Sequence, residues 1–256
     1  LDHPPAVELL RDDDGVVSGA VARDRRTGAT VHIQAGAVVL ATGGCAFQSK
    51  TLGCDVNTGD GALMAVEVGA VLSGMEFSSA YAIAVKGTSL TKTAYYSGAT
   101  FYRAAKTVLE GAASYGGRSV IAKTLLTEPV FARIDRASPA EQTAMRRGQP
   151  NFFVVFDRLG IDPFTEFFEI TLLAEGTVRG TGGVRVAGYD WASDVPGLYV
   201  AGDTATRELI CGGFSGGGSR NAAWAASSGG SAGHGVPALG LSRGTARARG
   251  PAGVRA

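Results

Sequence analysis

Ala37-Val38-Val39-Leu40-Ala41-Thr42-Gly43-Gly44 and Gly197-Leu198-Tyr199-Val200-Ala201-Gly202-Asp203 are the two stretches that decide the fold. Each is a short apolar run that ends in a glycine turn. Such runs fit strands buried on both faces, as in a parallel sheet. In open α/β sheets, ligands sit beyond the carboxyl ends of the strands. Glycine lets the backbone approach a ligand there, and a following helix N-terminus offers free N–H groups to an anion. Taken singly, a glycine turn need only reverse the chain. Two more clusters, Thr58-Gly59-Asp60-Gly61 and Gly216-Gly217-Gly218, tip the balance toward a nucleotide cofactor.

Working outward, residues 16–35 read as a β-hairpin. Val31 and Ile33 alternate with His32 and Gln34, and Arg25-Arg26-Thr27-Gly28 supplies a polar turn. Thr58–Gly61 opens a helical pattern with Leu63, Val66 and Ala70 near one face, and Thr58 or Asp60 is the expected N-cap. From Ala82 to about Thr177 the chain turns aromatic, with Tyr95, Tyr96, Phe101, Tyr102, Phe152, Phe153 and Phe156 among others, and reads as an α+β unit. Within it Arg118 to Glu128 is helix-like. Ser138-Pro139-Ala140-Glu141 is a capping-box start with Pro at the first helical position. After Gly197–Asp203 come a glycine-rich loop, Gly212 to Gly218, and an Ala-rich helix, Ser219 to Ser228. Residues 237–256 hold four Arg and no acid and read as a disordered tail.

Composition excludes several classes. Glycine is 38 of 256 residues, but it follows no three-residue period, so the chain is not collagen-like. Lys and Arg number 24 against 23 Asp and Glu, so no net charge draws the chain to nucleic acid or an anionic membrane. No run of eighteen apolar residues is present, so no membrane span is expected. The first residues, with Asp12, Asp13 and Asp14 close behind, do not read as a signal peptide. The three widely spaced cysteines, Cys45, Cys54 and Cys211, point to a reducing, cytoplasmic setting. No Cys/His spacing fits a metal site.

Neither Gly-x-Gly-x-x-Gly nor a phosphate loop occurs; Gly59-x-Gly61 runs on to Met64, where the dinucleotide motif needs Gly. Gly213-Phe214-Ser215-Gly216-Gly217 has the hydrolase-elbow form. The hydrolase order is Ser, then an acid, then His, and no acid follows Ser215. A serine hydrolase is therefore rejected.

Four strings occur in a telling order: Ala41-Thr42-Gly43-Gly44, Thr58-Gly59-Asp60-Gly61, Gly182-Gly183, and Pro196-Gly197-Leu198-Tyr199-Val200-Ala201-Gly202-Asp203. Together they resemble the fumarate reductase/succinate dehydrogenase flavoprotein family, which includes L-aspartate oxidase and the adenylylsulfate reductase α subunit. The resemblance covers roughly residues 6–236. It implies an α/β fold: part of a Rossmann-like FAD-binding domain interrupted by an α+β capping domain, with substrate held between them. The expected segments are 1–81 and 178–236 for the FAD-binding domain, 82–177 for the capping domain and 237–256 for the tail.

The resemblance also implies the roles of individual residues. Ala41, Thr42, Gly43, Gly44 and Asp60 lie against FAD, and Asp203 sits where an acidic residue contacts the cofactor. Asn221 and Ala222 fall near the flavin O2 edge, where a helix N-terminus stabilises negative charge. Arg118 in Gly117-Arg118-Ser119 stands at the family arginine that moves a proton at the substrate carbon, either in that role or as an anion clamp. Two family histidines are missing. Tyr81 takes the place of one and becomes the second candidate acid or base. Arg179 lies near the other and is a candidate substrate anion contact.

The family's opening βαβ unit with Gly-x-Gly-x-x-Gly does not occur, so the chain looks like the C-terminal part of a longer enzyme. The expected activity is FAD-dependent oxidoreduction, with hydride moving between flavin N5 and a small organic substrate, anions among the candidates, and with an electron-transfer partner. The alternative is a non-catalytic fragment, or half of a split flavoprotein that needs its partner.

Overall fold

The computed structural model describes residues 4–49, 55–77, 82–88, 94–173, 181–211 and 219–243. In chain order the elements are β1 (Ala6–Arg11), β2 (Val17–Arg23), β3 (Thr30–Gln34), β4 (Val38–Leu40), α1 (Asp60–Glu67), β5 (Leu72–Ser73), β6 (Ala82–Val85), β7 (Thr100–Tyr102), α2 (Arg118–Leu125), β8 (Val130–Arg133), α3 (Pro139–Gly148), α4 (Pro150–Leu159), β9 (Phe168–Leu173), β10 (Gly183–Val184), β11 (Leu198–Val200), α5 (Glu208–Cys211) and α6 (Ser219–Arg243). The described residues fall into two compact units. One is drawn from Leu1–Phe47, Val56–Ser78 and Thr177–Ala256, the other from Gln48–Asp55 and Ser79–Gly176.

In the first unit β1, β2 and β3 form an antiparallel sheet. The β2–β3 hairpin is the expected one. Its turn is fixed by the Asp24 carboxylate, which accepts from the Arg26 and Thr27 amides at 2.8 and 3.2 Å. β4 and β11 pair in parallel, Val38 opposite Leu198 and Leu40 opposite Val200. β5 and β10 pair antiparallel. The core gathers Leu9, Val17, Leu40, Met64, Leu198, Val200 and Trp224. Gly197 has φ +79°, and a Cβ there would sit 2.2 Å from the Val17 carbonyl oxygen. Only glycine lets β11 begin this close to β2.

Four expectations need correction in this unit. β4 is not buried on both faces: Leu40 is 5% exposed but Val39 is 40% exposed. α1 is capped by Gly59 at φ +86°, with no side-chain cap from Thr58 or Asp60. Asp60 is instead the first helical residue, where its charge still favours the positive end of the dipole. The inward face of α1 is Gly61, Met64 and Ala65, while Leu63 and Val66 are exposed. The buried i, i+3, i+4 set is 61, 64 and 65, the face on which Gly61 meets Thr42. Finally, α6 runs past Ser228 and Pro237 to Arg243. Residues 237–243 therefore continue the helix through Pro237 instead of opening the expected tail. Residues 244–256 lie outside the described residues.

The second unit is a four-stranded antiparallel sheet, ordered β6-β9-β8-β7, with α2, α3 and α4. Its core is aromatic. Phe152 meets Phe156 edge-on at 5.2 Å between centroids, and Phe156 meets Phe168 at 4.8 Å. Edge-on pairing sets the positive ring edge against a negative face. α3 starts at the expected capping box, with the Glu141 amide bonded to Ser138 Oγ and the Ser138 amide to Glu141. α2 stops at Leu125, three residues short of the expected Glu128.

At the sheet's edge Asp135 accepts from Tyr102 Oη at 2.5 Å, Thr100 Oγ1 at 2.7 Å and Arg133 Nε at 3.1 Å. Partial burial pushes the Asp135 carboxyl up, but these three donors outweigh it and hold it below the ordinary carboxylate range. The folded state therefore gains from ionised Asp135 at all pH above the unfolded value, and loses this as pH falls through the folded one. Asp135→Asn is expected to destabilise by about 1.5–3 kcal/mol at pH 7. The gap from wild type should narrow below about pH 4, the ordinary carboxylate range. Urea melts at pH 7 and pH 3 check this; an equal gap at both would remove the charge from the account.

Candidate functional site

The parallel register brings the ends of β4 and β11 to one edge of the first unit. The Ala201 amide donates to the Leu40 carbonyl at 2.9 Å, the last rung before both strands turn away. β4 leads into Thr42-Gly43-Gly44, with Gly43 at φ +75°. β11 leads into a 3-10 turn, Gly202–Thr204, with Gly202 at φ +62°. Thr204 ties the two turns together. Its Oγ1 donates to the Gly43 carbonyl at 3.2 Å and lies 3.3 Å from Thr42 Oγ1.

The third turn arrives through a short antiparallel approach. Cys45 bridges Thr58, and the Ala46 amide donates to the Asn57 carbonyl at 2.9 Å. This delivers Gly59 against the Cys45 side chain, with φ +86°. Gly61, in the first turn of α1, faces Thr42 so closely that a Cβ would fall 1.8 Å from Thr42 Oγ1. The fourth glycine string enters from β10. A Cβ on Gly182 would lie 2.3 Å from the Gly74 carbonyl oxygen, and one on Gly183 2.4 Å from the Thr204 carbonyl oxygen. All four strings quoted from the sequence thus meet in one cluster of close backbone approaches.

Thr42, Gly43, Asp60 and Asp203 belong to this cluster directly or through an adjacent residue. Ala41, Thr42 and Asp60 are exposed and Asp203 is half-buried. Asn221 and Ala222 lie in the first turn of α6, whose Trp224 Nε1 donates to the Gly202 carbonyl at 2.8 Å. Arg118 is the first residue of α2, in the second unit, and is half-buried. Tyr81, Arg179 and the loop 212–218 lie outside the described residues. Thr204, Trp224 and Ser228 were not singled out from the sequence. The signal for the last two was present: they are i and i+4 in a helix otherwise built of small residues, so they share one face.

The cluster fits an extended nucleotide cofactor. Its glycines let the turns after β4 and β11, β10 and the start of α1 pack backbone against neighbour with no room for a side chain, and the N-terminus of α1 lies beside Thr42. The buried Thr181 hydroxyl, next to Gly182-Gly183, has no hydrogen-bond partner among the described residues. A buried hydroxyl left so is costly unless a ligand completes it.

Residues 1–90 match the family described as FAD binding domain. An L-aspartate oxidase from Nostoc is 28% identical over 206 residues, 70% of this chain and 33% of that protein. The fumarate reductase flavoprotein subunit of Escherichia coli is 40% identical over 83 residues, 32% of this chain and 14% of the subunit. The structure of adenylylsulfate reductase from Archaeoglobus fulgidus superposes with a TM-score of 0.70 at 18% identity, over 93% of this chain and 46% of that chain. The chain therefore has the α/β fold of these proteins, and it spans a third or less of the two curated relatives' length. No helix among the described residues is long and apolar enough to cross a membrane.

Proposed function

The chain resembles the fumarate reductase/succinate dehydrogenase flavoproteins, and from that premise we propose that it is the FAD-holding part of an oxidoreductase acting on a small organic substrate. The observation that carries the reading is the meeting of the glycine turns after β4 and β11, locked by Thr204, beside the N-terminus of α1. FAD, when bound, supplies the redox chemistry, exchanging hydride with a substrate carbon through N5.

The chain's own residues bind and orient. Ala41 to Gly44 and Asp60 supply close backbone and a helix start, Asp203 supplies a hydrogen-bond acceptor, and the opening of α6 at Asn221 and Ala222 offers a positive dipole end to charge on the cofactor. Arg118 holds an anionic substrate group or moves a proton, with Tyr81 as the second candidate and Arg179 as a further anion contact. An electron-transfer partner and a cytoplasmic setting belong to the same reading.

Titration of FAD with the 256-residue chain, followed by flavin fluorescence, tests this. No Gly-x-Gly-x-x-Gly is present to grip the diphosphate, so binding is expected to be weak and lost on gel filtration. Thr204→Val removes the bond to Gly43 at constant volume and should weaken binding by up to about tenfold, with Thr204→Ser close to wild type. Flavin fluorescence that never responds, at any protein concentration, would sink the reading. A yellow protein surviving gel filtration would show that the diphosphate is gripped by other means.

A further inference from the structure

Gly202 is held at both of its backbone polar atoms, which lie in two successive peptides, by side chains from one helix. Ser228 Oγ accepts from the Gly202 amide at 2.8 Å, and Trp224 Nε1 donates to the Gly202 carbonyl at 2.8 Å. The Ser228 hydroxyl proton goes to the Trp224 carbonyl at 2.6 Å, so the hydroxyl's orientation is set. Ser228 is fully buried and Trp224 nearly so. The indole is itself held, by the edge-on Trp191 ring at 4.7 Å and by the Arg207 guanidinium at 5.8 Å over its face.

This clamp sits at an unusual place. The β4–β11 ladder has ended at Ala201, and Gly202 has left-handed φ +62°, so no strand partner fixes it; besides the clamp, its carbonyl accepts from the Ala205 amide of the 3-10 turn at 3.1 Å, while its amide is held by Ser228. The next residue is Asp203, and the one after is Thr204, which joins the two turns. A rotation about the Gly202 backbone would swing the Asp203 carboxylate and pull on Gly43 through Thr204.

We propose that Ser228 and Trp224 are positioning residues for the cofactor: α6 sets the direction in which Asp203 is presented to it. The inference rests on the FAD reading above. Neither residue touches the cofactor in this account; both act through Gly202. Fixing a peptide before the ligand arrives removes the entropy cost of ordering it afterwards.

The test uses the 256-residue chain and three readouts: amide exchange at Gly202 and Asp203 without cofactor, FAD affinity, and the visible circular dichroism of bound flavin. Trp224→Phe keeps an aromatic side chain but removes the N–H together with part of the indole's buried volume. Ser228→Ala removes the acceptor, and Ser228→Thr keeps it. Expected are faster exchange at Gly202 in Ser228→Ala, a roughly 3- to 10-fold weaker FAD complex in Ser228→Ala and Trp224→Phe, and an altered flavin dichroism at saturation. Ser228→Thr should restore all three, and if its extra methyl prevents folding, Ser228→Ala, which deletes only the hydroxyl, decides alone. Wild-type affinity and dichroism in Trp224→Phe and Ser228→Ala, with FAD bound by wild type, would overturn the inference and leave the FAD reading standing. If wild type itself never binds FAD, both fall together.

Discussion

Alanine at Gly183 is expected to destabilise the first unit by about 1–3 kcal/mol, the usual cost of forcing atoms into filled space. It should also strip whatever flavin affinity the chain has. A Cβ there would lie 2.4 Å from the Thr204 carbonyl oxygen and 3.0 Å from the Ala205 carbonyl carbon. Both are backbone atoms, so no rotamer change relieves the clash. β10 must retreat, or the Gly202–Thr204 turn must move and carry with it the Thr204 bonds to Gly43 and Thr42. Gly229 is the matched control. It lies inside α6 with nothing within 4 Å of its added Cβ. Alanine there should stabilise by about 0.5–1 kcal/mol through helix propensity. Thermal melts of both variants, with FAD titrations alongside, check the pair. A silent Gly183→Ala would mean that the Gly182-Gly183 string only turns the chain.

The contrast between those two glycines shows what could be read from the chain. The strings ending in Gly44 and Asp203 were legible because a continuous apolar run followed by glycine is a local pattern. The aromatic unit was legible from composition, and the α3 start from four adjacent residues, Ser138 to Glu141. β1 was not foreseen, because Glu8 and Arg11 interrupt its apolar residues. The cap of α1 was misjudged for a local reason too: Thr58 and Asp60 are both good caps by type, but Gly59 between them holds the cap position at φ +86°. Other features depend on distant partners. Thr204 acts through Gly43, 161 positions away in sequence, and nothing near Thr204 marks that bond. Val39 sits in the middle of an apolar run, yet its exposure depends on what packs beside β4, which no local pattern encodes. Clustered glycines could thus be counted from the sequence, but the backbone each one approaches could not.

In a catalytically active protein that contains this chain, Arg118→Lys is expected to lower kcat by about 10²–10⁴-fold, the usual contribution of general acid–base catalysis. Arg118 is the first residue of α2, directly after Gly116 at φ +72° and Gly117. A Cβ on Gly117 would lie 2.2 Å from the Ala113 amide nitrogen and 2.4 Å from the Gly111 carbonyl oxygen. The loop 111–117 therefore folds tightly on Gly117 and fixes where α2 begins and where Arg118 starts. A cation at the positive end of a helix dipole costs roughly 0.3–1 kcal/mol in place of the gain an acid would bring there. An anion bound there would repay that cost, because a helix end and a guanidinium attract it together. Lysine keeps the charge but not the planar fork, so it cannot offer two parallel donors to a carboxylate or hold a fixed relay. A guanidinium gives up its proton only reluctantly, so proton transfer demands that fixed geometry. If Arg118 only clamps the substrate, KM rises while kcat holds in both Arg118→Lys and Arg118→Ala, since uniform binding is what is lost. Steady-state kinetics of the two variants with flavin bound separate the cases. Unchanged kcat and KM in both would remove Arg118 from the chemistry and pass the proton to Tyr81.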